Sequence, residues 1–106
     1  MIVYNTTFHI EKEILEEALL HLRKIYIPQA AASGFLHAPC LRRVIQMSEE
    51  GEGESYSVQF HVKNIETLQY WLEGEGNMLH QKLIERFGSK IVGFTTLLDE
   101  IDWAHE

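Results

Sequence analysis

The spacing at which apolar residues recur changes several times along this chain, and the order of those changes leaves few folds open. Residues 2–10, IVYNTTFHI, are rich in β-branched and aromatic types and read as a strand. From Glu11 the period lengthens. Ile14, Leu15, Ala18, Leu19, Leu22 and Ile25 fall at three- and four-residue steps, the stripe of an amphipathic helix. Acidic residues open that segment and Arg23 and Lys24 close it, as the helix dipole favours. Pro28 disfavours helical geometry at Ile27, so the helix is expected to end or kink there. Residues 29–32 then make a further turn closed by Gly34, and 35–39 a connector. Two more strands are expected over 41–48 and 55–62, joined by the glycine-bearing hairpin loop EEGEGE. Asn64 is placed to cap a second helix, whose stripe runs Ile65, Leu68, Leu72 with Trp71 beside it. The stripe resumes at Met78, Leu79, Leu83, Ile84 and Phe87 and stops at Gly88. A fourth strand covers 90–98, and an acidic tail with Ile101 and Trp103 follows.

The second helix carries an interruption, WLEGEGNMLH over 71–80. Two glycines in a helix interior cost roughly 1 kcal/mol each relative to alanine. Gly74-Glu75-Gly76 is therefore expected to be a hinge, with Asn77 capping a restarted helix.

The order βαββαβ specifies an α+β ferredoxin-like plait over residues 1–106, one domain with a four-stranded antiparallel sheet and both helices on one face. Strands one and three take the centre. Because alternate residues share a face, Ile2, Tyr4, Thr6, Phe8, Tyr56, Val58, Phe60 and Val62 belong under the helices. The opposite face is left with Asn5, Thr7, His9, Ser57, Gln59 and His61 at its centre. Both edge strands read as apolar on both sides, Val44 against Leu41, Ile45 and Met47, and Ile91 and Leu97 against Val92, Phe94 and Leu98. Such edges invite association. Two open faces closing on each other give a homodimeric α/β barrel with a polar lumen; the rival is a monomer whose tail folds over the face.

Composition narrows the partners. Nine basic against sixteen acidic side chains leave a net charge of −7, which repels a polyanion and excludes nucleic acid as the expected partner. No apolar run approaches the roughly 20 residues needed to span a bilayer. The opening MIVYNTTFHI has neither a basic n-region nor a cleavage site. With Cys40 alone there is no internal disulfide, and a reducing cytoplasm is the expected compartment.

Three segments, MIVYN, IYIPQ through GF, and ERFGSKIVGFTTLLDEI, together resemble a small bacterial family, mostly from Bacteroidetes, that carries no assigned activity. The resemblance implies a dimeric α/β barrel of the stress-responsive and antibiotic-biosynthesis-monooxygenase type. Within that group, Asn5, Trp71 and His80 are similar in type and order to the Asn, Trp and His of haem-degrading monooxygenases. There a helix histidine ligates iron and a tryptophan packs on the porphyrin. The resemblance thus offers Trp71 and His80 as cofactor-binding candidates, with haem as an alternative to the expectation of no cofactor; packed core residues are the plainer reading.

A cofactor-free version uses the lumen, where Asn5, Gln59, His61 and His9 would position an organic substrate. His61 then serves as general base beside Asn5. No metal site is expected, because the six histidines show no ligand spacing. His9 and His61 close antiparallel neighbouring strands and should stand at opposite ends of the sheet. Cys40 with His37 is a weak nucleophile–base pair, and Arg42 with Arg43 is more readily an ion-pairing site than an anion receptor. An RNA-recognition surface would need stacking aromatics on the open face, which carries amides and hydroxyls instead. An amino-acid-binding regulatory domain would want glycine at the first strand–helix turn, here His9-Ile10-Glu11. The expected function is a small cytoplasmic dimeric barrel that binds a small molecule in its lumen. A monooxygenase-like enzyme and a regulatory or interaction module are the alternatives.

Overall fold

The computed structural model describes residues 1–47 and 52–104. Glu49, Glu50 and Gly51 of the expected hairpin loop, and His105, lie outside the described residues. Strands β1 (Ile2–Ile10), β2 (Leu36–Arg43), β3 (Glu54–Val62) and β4 (Ile91–Asp99) form one antiparallel sheet in the order β2-β3-β1-β4. The central pair is the expected one.

One helix runs from α1 (Leu15–His21) through a wider π turn (Leu22–Tyr26) into α2 (Ile27–Ala32). The other runs from α3 (Ile65–Trp71) through a second π turn (Leu72–Gly76) into α4 (Asn77–Phe87). Asn64 caps α3 as expected, its side chain accepting from the Thr67 amide at 2.8 Å, and Gly88 ends α4 with φ 59°. Tyr4, Phe8, Ile10, Val58, Phe60 and Val62 from the sheet pack against Ala18, Leu22, Tyr26, Ala30, Leu68, Trp71, Leu79, Leu83 and Phe87 from the helices in one buried cluster. The expected division of β1 and β3 between faces holds throughout.

Three local expectations are corrected. The first helix does not end at Pro28; its irregularity there is a wider turn. Ile27 donates instead to the Leu22 carbonyl, five residues back. Widening the turn just ahead of Pro28 accommodates a ring that would otherwise press on the carbonyl four residues earlier. Asn77 is not a cap. It has helical φ/ψ inside the continuing helix and no capping hydrogen bond is made there. The break itself is real and sits at Gly74, φ −104° and ψ −107°. Finally, strand two is not 41–48. It starts at Leu36, inside the expected connector, and ends at Arg43, leaving Val44, Ile45 and Met47 exposed beyond it. Pro39 is tolerated because β2 is an edge strand whose outer side needs no ladder donor.

Candidate functional site

Two surfaces compete for function, one on each face of the sheet. On the helix side, β1 contributes Tyr4, Thr6 and Phe8, and β4 contributes Ile91, Gly93 and Thr95 opposite Ile10, Phe8 and Thr6. The first π turn ends on Tyr26, and Trp71 and His80 flank the second. Single π turns inside α-helices occur frequently at functional sites. Here both converge on one aromatic cluster. The Tyr26 hydroxyl lies 3.0 Å from His80 Nε2, with the two rings stacked at 5.8 Å. Trp71 meets His80 edge to face at 6.1 Å and Tyr4 at 6.0 Å.

Beside this cluster a cleft of about 220 Å³ opens between β1, β4 and α4, lined by Thr6, Phe8, His80, Leu83, Ile84, Ile91, Gly93 and Thr95. Its floor exists because residue 93 is glycine. A Cβ there would stand 3.2 Å from the Phe8 ring and 3.3 Å from Thr6 Cγ2. Burial pushes the His80 pKa below the ordinary imidazole value, so the ring is neutral at pH 7. Burial, reinforced by Tyr4, holds Tyr26 well above the usual phenol range, so Tyr26 keeps its proton. Whichever partner donates in the Tyr26–His80 bond, it occupies Nε2 and leaves Nδ1 without a hydrogen bond to another described residue. Thr6 also lines the cleft, its buried hydroxyl beside that of Tyr4. The cleft therefore combines apolar walls with one oriented imidazole, a composition that suits a small-molecule site.

The open face is polar at its centre, but its groups are largely spent on each other. Ser57 donates to Asn5 Oδ1, and Asn5 Nδ2 donates to Thr7 Oγ1 at 3.1 Å. Arg42 donates to Gln59 at 3.2 Å, and His9 Nδ1 lies 3.0 Å from Ser55 Oγ. His61 stands opposite Val3 on one side and His37 on the other. His9 pairs with Ser55, six residues from His61 along β3, a separation of roughly 20 Å. Flanking this polar strip, Val92, Phe94 and Leu98 of β4 are exposed.

The structure thus brings Trp71 and His80 together and separates Asn5 from both by the thickness of the sheet. That arrangement does not fit haem. Trp71 is 1% exposed and its ring is spent on Tyr4 and His80, while the Nε2 of His80 is held by Tyr26. The cleft also falls short of the roughly 300 Å³ at which drug-sized ligand sites begin. The helix break lines a different, shallow cleft of about 340 Å³ with Phe35, Tyr70, Trp71, Glu73, Gly74 and Glu75. Among the described residues, no three His, Cys, Asp or Glu side chains gather to hold an ion. No helix among the described residues is long and apolar enough to cross a membrane.

Sequence reasoning missed Thr6, Tyr26 and Gly93. The signal for Tyr26 was present as a four-residue spacing, Ala18, Leu22, Tyr26, Ala30, all buried. A stripe read through Ile25 passed it by.

Comparison with known proteins supports the fold. The model of a domain of unknown function, DUF4286, matches residues 1–101. No curated protein matches the chain. Among solved structures, an ethyl tert-butyl ether D (EthD) family protein from Bacillus halodurans superposes with a TM-score of 0.71 at 16% identity. It covers 95% of this chain and 100% of its own. An antibiotic biosynthesis monooxygenase superposes with a TM-score of 0.68 at 13% identity, covering 96% of this chain and all of its own.

Proposed function

We propose that this chain, which belongs to the DUF4286 family, binds a small organic molecule in the cleft between β1, β4 and α4. The observation that carries this reading is His80, its ring fixed by Tyr26 and its Nδ1 free of any described partner, on the wall of an apolar cleft kept open by Gly93. A ligand that fits is compact and largely apolar, with a hydrogen-bonding oxygen or nitrogen at one edge. Phenols, quinones and small aromatic acids meet that description. The open face, whose amide and hydroxyl groups already satisfy one another, is the weaker candidate, and Asn5 and His61 are there the residues to test.

A catalytic reading of the same cleft is favoured by one observation. A neutral imidazole held by a buried phenol is a general base fixed in orientation. His80 would accept a proton from a bound hydroxyl or an activated carbon, and Tyr26 would hold the ring as it did so. One of the two superposed proteins is named an antibiotic biosynthesis monooxygenase, and proton abstraction from a bound substrate suits this geometry. The chain would work as a homodimer in the cytoplasm, the exposed Val92, Phe94 and Leu98 of β4 being covered by a second copy.

The test is a thermal-shift screen with phenols, quinones and aromatic acids. Hits should raise the midpoint of the wild type and of Asn5→Ala but not of His80→Ala. If shifts persist in His80→Ala and vanish in Asn5→Ala, the ligand occupies the open face and the cleft reading fails.

A further inference from the structure

The edge strand β2 contains an irregularity that changes which side chains meet on the open face. From Cys40 onward its register with β3 is regular: Cys40 pairs with Gln59, Leu41 with Val58, Arg42 with Ser57 and Arg43 with Tyr56. Carried back unbroken, that register would set Ala38 opposite His61 and turn His37, opposite Val62, toward the helices. It does not run unbroken. One extra residue is accommodated between His37 and Cys40, so that His37 faces His61 and Leu36 faces Val62. The same shift buries Leu36, which is 1% exposed, and leaves His37 exposed on the open side.

The irregularity is strained. Ala38 is the one non-glycine residue with positive φ among the described residues, at 51°, and it precedes a proline, which further restricts it. Such a conformation is unfavourable and persists where the surrounding structure enforces it, often at functional sites. Bulges of this kind commonly re-aim a side chain. Here the re-aimed side chain is an imidazole, and what it is aimed at is a second imidazole. Directly opposite residues on one face of an antiparallel pair have Cβ atoms about 4.5–5.5 Å apart. That spacing lets two histidines place one nitrogen each within about 2.0–2.1 Å of a shared ion. No hydrogen bond to a described residue occupies either ring.

We propose that His37 and His61 form a two-imidazole site for a borderline divalent transition ion, such as Zn²⁺, Ni²⁺ or Cu²⁺, on the open face of the sheet. Imidazole suits these ions, whereas Mg²⁺ and Ca²⁺ want oxygen donors. Two protein ligands leave the remaining coordination positions to water or to an anionic or amine ligand, so the site is an open one. The proposal does not depend on the helix-side cleft, from which the sheet separates it.

Isothermal titration of the metal-stripped full chain with ZnCl2 or NiCl2 alone tests it. One ion should bind per chain, and His37→Gln and His61→Gln should each weaken binding at least tenfold while unfolding at the wild-type temperature in metal-free buffer. His9→Gln, at the far end of the same face, should bind as the wild type does. The proposal is overturned if the folded wild type takes up neither ion. It is equally overturned if the double variant His37→Gln/His61→Gln binds as tightly as the wild type, or if His9→Gln weakens binding as much as His37→Gln. In those cases the bulge serves only to blunt an exposed strand edge.

Discussion

At the scale of single residues, two buried or half-buried histidines set the behaviour of the protein in acid. Burial lowers the pKa of His21, and the positive charges of Arg86 and Lys82 lower it further. Arg86 can only donate, so His21 Nδ1 accepts from it at 3.1 Å and the proton sits on Nε2, which is buried and unpartnered. His80 is lowered by burial alone. For both, the folded chain binds a proton less readily than the unfolded one, whose imidazoles titrate near 6.5. Their contribution to stability is complete above that value and is lost as pH falls below it. The urea midpoint should accordingly drop between pH 7.5 and pH 5.5, and His21→Gln should show a smaller drop than the wild type. Gly93→Val tests the cleft floor. The added methyls press on Phe8 and Thr6, which should cost about 1–3 kcal/mol in urea unfolding and abolish ligand-induced thermal shifts.

Elements explain why some of this was legible in the sequence and some was not. The strands β1, β3 and β4 announced themselves because alternation is a local property, and their pairing order follows from the plait. Strand β2 was displaced because its true span, LHAPCLRR, contains a proline and a bulge that interrupt alternation, whereas the apolar Val44, Ile45 and Met47 imitate a strand without being buried. The aromatic cluster was hidden for a geometric reason. At about 100° per residue, positions nine apart on a regular helix face opposite ways, so Trp71 and His80 should not meet. The π turn and the kink at Gly74 rotate α4 until they do. In the first helix, a four-residue spacing drifts by about 40° per step on an α-helix. The wider turn absorbs that drift and keeps Ala18, Leu22, Tyr26 and Ala30 all on the core. Gly76 is the tight point of the second break. A Cβ there would lie 2.7 Å from Trp71 ring carbons and 3.0 Å from its carbonyl oxygen. Gly76→Ala should therefore destabilise the protein by about 1–3 kcal/mol, and near-ultraviolet circular dichroism should show Trp71 losing its fixed environment.

For the whole molecule, one sheet face carries the helices and the other carries a polar strip, its amides and hydroxyls paired with one another, beside exposed apolar residues of β4. Val92, Phe94 and Leu98 line one side of that strip, and Ile101 and Trp103 of the tail are exposed as well. A second copy laid on this face would cover them, so light scattering should give twice the 12.3 kDa chain mass, and Phe94→Glu should give the chain mass itself. A monomeric wild type would remove the dimer from the account without touching the cleft. The central claim, that a ligand sits between sheet and helix, is best tested by methyl NMR, because the two faces carry different methyl groups. On adding any hit from the thermal-shift screen, the methyl signals of Thr6, Leu83, Ile84, Ile91 and Thr95 should move while those of Val3, Val92 and Leu98 stay in place. Movement of Val3, Val92 and Leu98 with the cleft methyls unchanged would put the ligand on the open face and contradict the account.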